Sequence, residues 1–320
     1  MSPLEFMTSA GDLAYGLGVA VVEALIAAMM LVIGLLPEAA AEPFQYAFMQ
    51  RALLSSVIVG GVCGVLSCFV MLKRWSLLGD AISHAVLPGV AVAYLLGWPF
   101  FIGAFLTGAL TSLGIGAIER NSRIKEDAAM AISLTGAFAV GVVIISQIAT
   151  STHLMHILFG NVLGVRMPSL VLTLVAGAVV LAFVAFLYKE LTLYIFDPVQ
   201  AAMMGVKTSW LHYGLILLLT LMIVASLETV GIILVVAMLV TPGASAYLMT
   251  DSLPRMMGLA ALIGVACAVI GLYLSFVYNV ASGGSIVVVA TLVFVLAFLF
   301  APRRGLVVRL LRARLVRHAD

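Results

Sequence analysis

Charged residues are scarce: only 9% of the 320 residues are Asp, Glu, Lys or Arg. Soluble domains carry about 25%, so a water-facing globular surface is excluded. Cysteine is nearly absent too. Cys63 and Cys68 lie five apart in one apolar run and point to different faces, and Cys267 lies in another run. That is no disulfide framework, and each is read as a small core residue. No phosphate-binding loop is present, since the chain has no Gly-Lys dipeptide anywhere, and HExxH and CxxC are missing. Ser83 and His84 are adjacent, but neighbours on a helix do not face each other, so no nucleophile–base pair is built there. The chain is therefore not expected to be an enzyme. Before the first apolar run the N-terminus carries Glu5 and Asp12 and no basic residue, so a cleavable signal peptide is not expected.

What is present is apolar sequence. Hydrophobic residues make up 64% of the chain, in long unbroken runs rather than short alternating segments. This indicates an all-α, polytopic bundle of about eight to ten membrane helices, not a barrel. Ten candidate spans are approximately 13–36, 50–72, 76–97, 98–118, 128–149, 168–188, 210–227, 229–249, 255–277 and 284–301. The pairs meeting at 97/98 and 227/229 are so closely joined that one member of each is open to being short, broken or re-entrant. With both termini in the cytoplasm, Lys73, Arg74, Arg120, Arg123, Lys125, Lys189, Lys207, Arg255 and the six arginines from Arg303 to Arg317 lie inside, 14 of the 16 Lys and Arg. Only Arg51 and Arg166 fall outside, so the positive-inside rule favours an even span count. An eight-span arrangement with two re-entrant pieces preserves much of this asymmetry.

One stretch stands apart. Residues 75–97, WSLLGDAISHAVLPGVAVAYLLG, follow the basic pair Lys73–Arg74 and are long enough to cross a bilayer. Its first half nevertheless holds Asp80 and His84. Spacing of four places Ser76, Asp80, His84 and Pro88 along one helical stripe. An ionisable group at bilayer depth costs roughly 2.5–3.5 kcal/mol on insertion scales and marks a functional site by default. A carboxylate and an imidazole one turn apart can grip one divalent transition metal. The competing reading makes Asp80 an N-cap after Gly79 and gives His84 a hydrogen bond to a neighbouring helix.

The rest of the chain supplies context. The first span leads into PEAAAEP, an external link. Gly60 and Gly64 form a GxxxG spacing that suits close helix packing. Glu126 and Asp127, after the charged turn ERNSRIKED, suit a helix N-terminus. His153 and His156 lie in the external stretch 150–166, as interfacial residues or as a weak metal funnel and docking surface. In the connection 189–209, Asp197–Pro198 signals a helix start and Gly205 a C-cap, framing a short helix with Met203 and Met204 exposed. Such a stub suits a partner's groove, or is a capped surface loop. Glu228 reads as a wet external turn or a residue facing a cavity. Pro242 and Gly243 are expected to break their span, ASGGS (281–285) to form a flexible turn, and the basic tail from Arg303 to lie along the cytoplasmic leaflet.

The chain resembles the permease subunits of bacterial ABC importers for manganese, zinc and iron. The resemblance rests on EPFQYAFMQRALL (42–54), LLGDAISHAVLPGVA (77–91), IKEDAAM (124–130), FGNVLGV (159–165), FDPVQAAMMGV (196–206), SLETVGIILVVAMLVTPGASA (226–246) and FLFAPRRG (298–305). It divides the chain into an added N-terminal anchor and link (1–41), a permease domain of type II-like ABC importers (42–302) and a basic tail (303–320). It implies a bacterial inner-membrane location and a second permease subunit, identical or not. It also implies a cytoplasmic ATPase dimer that hydrolyses ATP, and an extracytoplasmic metal-binding protein. No nucleic-acid partner and no permanent cofactor are expected. By resemblance Asp80 and His84 are metal ligands on the translocation path, Glu228 a weaker candidate, and Asp197, Pro198, Ala201 and Gly205 belong to the ATPase-coupling segment. Carboxylate plus imidazole without thiolate suits Mn(II), with Fe(II) or Zn(II) next. The rival function is a stand-alone secondary metal transporter or one coupled to protons.

Overall fold

The computed structural model describes residues 3–35, 37, 41–147, 162–302 and 305–306. His153, His156, part of the PEAAAEP link and nearly all of the basic tail lie outside these residues. Twelve α-helices are described: α1 (Pro3–Ile33), α2 (Ala47–Lys73), α3 (Leu78–Leu96), α4 (Phe100–Asn121), α5 (Glu126–Ser146), α6 (Met167–Phe186), α7 (Tyr188–Phe196), α8 (Pro198–Met203), α9 (Thr208–Val230), α10 (Ile232–Met249), α11 (Leu253–Tyr278) and α12 (Ser282–Phe300). Among the described residues, ten helices, all but α7 and α8, are long and apolar enough to cross a membrane. The protein is a multi-pass membrane protein.

The closely joined pairs are full helices. Gly97 adopts φ 68° as the left-handed cap of α3, and Trp98 N–H bonds back to Ala93 O at 2.9 Å. That closure lets α4 start within three residues. Gly231 makes a different corner between α9 and α10, at φ 80° and ψ 166°, a conformation open to glycine.

α2 lies at the centre, packed against α6, α10 and α11, with α12 against α10 and α11. α3, α4 and α5 form a second group, and α9 runs between α4 and α6. Lipid offers no hydrophobic drive between helices, so backbones must approach closely to gain dispersion contacts. Gly60 and Gly64 do this on α2: an added Cβ would lie 2.6 Å from Gly264 O and 2.6 Å from Ala260 O of α11. Gly89 of α3 and Gly103 of α4 meet in the same manner. Hydroxyls stitch other seams, as where Thr220 of α9 donates to Ser112 Oγ of α4 at 3.0 Å. Cys63, Cys68 and Cys267 are buried free thiols.

Several expectations are corrected. Pro242 and Gly243 do not break their span: α10 runs through both. Pro242 only removes the donor to the carbonyl four residues earlier, and Gly243 brings α10 onto α2, where a Cβ would meet Ser67 O at 2.5 Å. Residues 282–285 are the first turn of α12, with Ser285 Oγ donating to Gly271 O at 2.8 Å, so the turn is confined to 279–281. Ser76 precedes α3 and is not on its helical stripe. The connection 189–209 holds a further helix, α7, whose Leu191 and Tyr194 are buried against the bundle.

Gly64→Leu is expected to force α2 from α11 and destabilise the fold by about 1–3 kcal/mol, the usual cost of overpacking. Gly61→Ala should be tolerated, because its Cβ meets only Val265 at 3.4 Å. Thermal unfolding in detergent measures both, and equal melting of Gly64→Leu and the parent would contradict the crossing.

Candidate metal-transfer site

Asp80 and His84 are the third and seventh residues of α3, whose N-cap is Leu77. Asp80 is therefore inside the helix and not its cap. Around them Ala81, Ile82, Ser83 and Ala85 are buried, so α3 is enclosed on most of its circumference. The side chains of His84 and Asp80 stay 37% and 43% exposed. One turn further up, Pro88 is covered by α5 at Gly141, and Val92, next along the stripe, is exposed. The stripe is thus partly open at Asp80, His84 and Val92 and closed by α5 at Pro88.

His84 Nε2 lies 3.5 Å from Asp80 Oδ1. Two donors about 2.1 Å from one ion are about 3.0 Å apart across an octahedral edge and about 3.4 Å across a tetrahedral one. The pair can therefore share an ion with little rotamer adjustment. Ser83 Oγ donates to Asp80 O at 2.9 Å. Pro88 cannot donate to the carbonyl of His84, so the helix is weakened just above the pair. The His84 ring meets Phe138 of α5 edge-on, centroids 5.6 Å apart. Phe138 is twelve residues, about 18 Å, above the start of α5, which puts the imidazole beside the middle of that helix rather than at its end.

Two side chains cannot fill the shell of a transition metal. Among the described residues no group of three or more His, Cys, Asp or Glu could hold a metal. Glu228 is not brought to the pair. It sits in the last turn of α9, exposed, accepting from Ser169 Oγ of α6 at 2.7 Å. The reading of 226–231 as an external turn is corrected to helix, since α9 continues to Val230. Near the other end of α9, His212 packs against Trp75, just before α3. Glu228 is sixteen residues beyond it, about 24 Å along the helix. Below Glu228, Thr173 Oγ1 donates to Ala225 O at 2.8 Å, extending a hydroxyl-lined seam between α6 and α9.

The short segment after α7 matches its sequence signals. Asp197 Oδ1 accepts from Gln200 N at 2.8 Å, Pro198 opens α8, Ala201 is its buried face, and Gly205 follows at φ 81°. Val199, Met203 and Met204 are 70%, 84% and 69% exposed, an apolar cluster on a polar loop. No sequence signal points to Phe138 beside His84 or to Ser169 on Glu228, because both partners come from helices distant along the chain.

The model of the ABC 3 transport family matches residues 45–301. The chain is 52% identical over 270 residues to a manganese transport system membrane protein, MntC, of Halalkalibacterium halodurans, covering 84% of this chain and 92% of that protein. It is 47% identical over 259 residues to a chelated iron transport system membrane protein, YfeD, of Yersinia pestis, covering 81% and 87%. The solved structure of PsaBC from Streptococcus pneumoniae in complex with Fab matches with a TM-score of 0.76 and 41% identity, over 86% of this chain and 99% of that one. With a family match spanning α2 to α12, this chain belongs to the ABC 3 transport family.

Proposed function

We propose that the chain is the membrane-spanning permease subunit of an ATP-driven importer for divalent transition metal ions, manganese first, with iron or zinc next. The observation that carries this is the Asp80–His84 pair: ligand-type side chains 3.5 Å apart on α3, each with over a third of its side-chain surface exposed. The names of the relatives, manganese and iron transport proteins, support the cargo. A second permease subunit, identical or not, brings its own stripe to the first, and the ion passes between them. Few donors from each chain hold the ion tightly enough to accept it and weakly enough to release it.

The chain has no phosphate-binding loop, so ATP is hydrolysed on a separate cytoplasmic ATPase dimer. α8 is the docking point, with Val199 and Met203 entering the ATPase groove and the Asp197 cap and Gly205 turn setting its angle. An extracytoplasmic protein delivers the ion, and closure of the ATPase dimer alternates access to the pair. The permease domain is 42–302, α1 is an added anchor, both termini are cytoplasmic, and the membrane is the bacterial inner membrane. Glu228 belongs to the α6–α9 seam and takes no part in the pair.

Asp80→Asn and His84→Ala should each reduce manganese uptake to background in proteoliposomes holding the complete complex, with the protein still folded in the membrane. Normal uptake by both variants would refute the ion path. Uptake that follows a proton gradient and ignores ATP would point to a stand-alone transporter instead. Asp197→Ala should loosen α8 by about 1 kcal/mol through loss of its cap, and Met203→Asp should weaken ATPase capture roughly tenfold. Pull-down of the ATPase subunit measures this, and undiminished capture by Met203→Asp would remove α8 as the dock.

A further inference from the structure

At the end of the bundle where α2 finishes and α3 begins, aromatic and cationic side chains gather that neither the metal pair nor α8 accounts for. Trp75 is 1% exposed in the turn between those helices. Its N–H bonds to Val70 O at 2.9 Å, and its carbonyl accepts from Leu78 N at 3.0 Å, so it is tied to both. The indole meets the ring of His212 edge-on at 5.3 Å. His212, on the first turns of α9, has Nδ1 2.9 Å from the hydroxyl of Tyr194. Tyr194 is buried in the last turn of α7, three residues before Asp197. Lys73 Nζ lies 3.5 Å from the Tyr194 ring centroid and donates to its carbonyl at 3.3 Å.

The chain of contacts runs from the helix before α8 to the turn before α3, ending five residues from Asp80. His212 Nε2 is buried with no hydrogen-bond partner among the described residues. Its neighbour on α4 is Gly116, where a Cβ would stand 3.1 Å from that nitrogen. A buried ring anchored through one nitrogen follows the group that anchors it, and here that group is the Tyr194 hydroxyl. The Tyr194–His212 hydrogen bond and the His212–Trp75 edge contact therefore give any displacement of α7 a contiguous route to the start of α3.

We infer that Tyr194, His212 and Trp75 are positioning residues that link movement of α8 to the Asp80–His84 stripe. The inference rests on the reading of α8 as the ATPase dock. Its test uses the assembled complex in proteoliposomes, recording manganese uptake and ATP hydrolysis together. Tyr194→Phe removes one hydroxyl and keeps the ring, its packing and its contact with Lys73. The ATPase is expected to stay bound and active while manganese moved per ATP falls roughly five- to tenfold. His212→Gln should lower the ratio similarly, and the double variant should be no worse than either single one, because each breaks the same link. An unchanged ratio in Tyr194→Phe, or losses that add, would overturn the inference. So would disassembly of the complex by Tyr194→Phe, since the hydroxyl would then hold the fold together rather than transmit motion. A parent complex with no ATP-dependent uptake would overturn the importer reading itself, and this link with it.

Discussion

Hydrocarbon gives a polar group no solvent to bond, so each one inside the bundle must find a partner or have a use. That constraint shapes most of the molecule. Hydroxyls close onto carbonyls of their own helix or bridge to the next, as Thr173 does to Ala225 and Thr220 to Ser112. Backbones approach through glycine at Gly60, Gly64, Gly89 and Gly103, so the helices gain contact where lipid gives no other drive. Against this background Asp80 and His84 stand out. They touch each other and Phe138, yet keep over a third of their side-chain surface open.

The two helices to which a function is proposed, α3 and α8, differ in how they are held. α3 packs against α4, α5 and α9 with Asp80 and His84 left partly exposed, and Pro88 removes one backbone bond just above the pair. The bond that Pro88 removes lies beyond His84, so the helix can bend above the pair while the turn that holds Asp80 and His84 together stays intact. α8 is the opposite case: six residues capped at both ends, with its apolar residues turned outward. Its rigidity comes from the cap and the turn, because little of it is packed. The two elements are linked by contacts, since α7, which precedes α8, reaches the turn before α3 through Tyr194, His212 and Trp75.

Much of this was legible beforehand. Ten apolar runs became ten long helices because length and hydropathy alone decide what can satisfy its backbone within a bilayer. Asp197–Pro198 and Gly205 framed α8 because cap chemistry is local. The Asp80–His84 spacing followed from helical periodicity, and the alternative role of Asp80 as a cap fell only when α3 was seen to start at Leu78. α7 was missed because it is short and amphipathic, and its buried face shows only against the bundle.

The sequence by itself determined the membrane bundle, the local caps and the one-turn spacing of the two ligand-type residues, since each depends on residues a few positions apart. The tertiary structure decided that Asp80 and His84 stay partly exposed and that His84 meets Phe138. It also decided that Glu228 bonds Ser169 and does not join the pair in a cluster, that Pro242 does not break α10, and that Tyr194 reaches Trp75 through His212. Those outcomes join side chains tens to more than a hundred positions apart, and periodicity along one helix carries no information about which face another helix will cover.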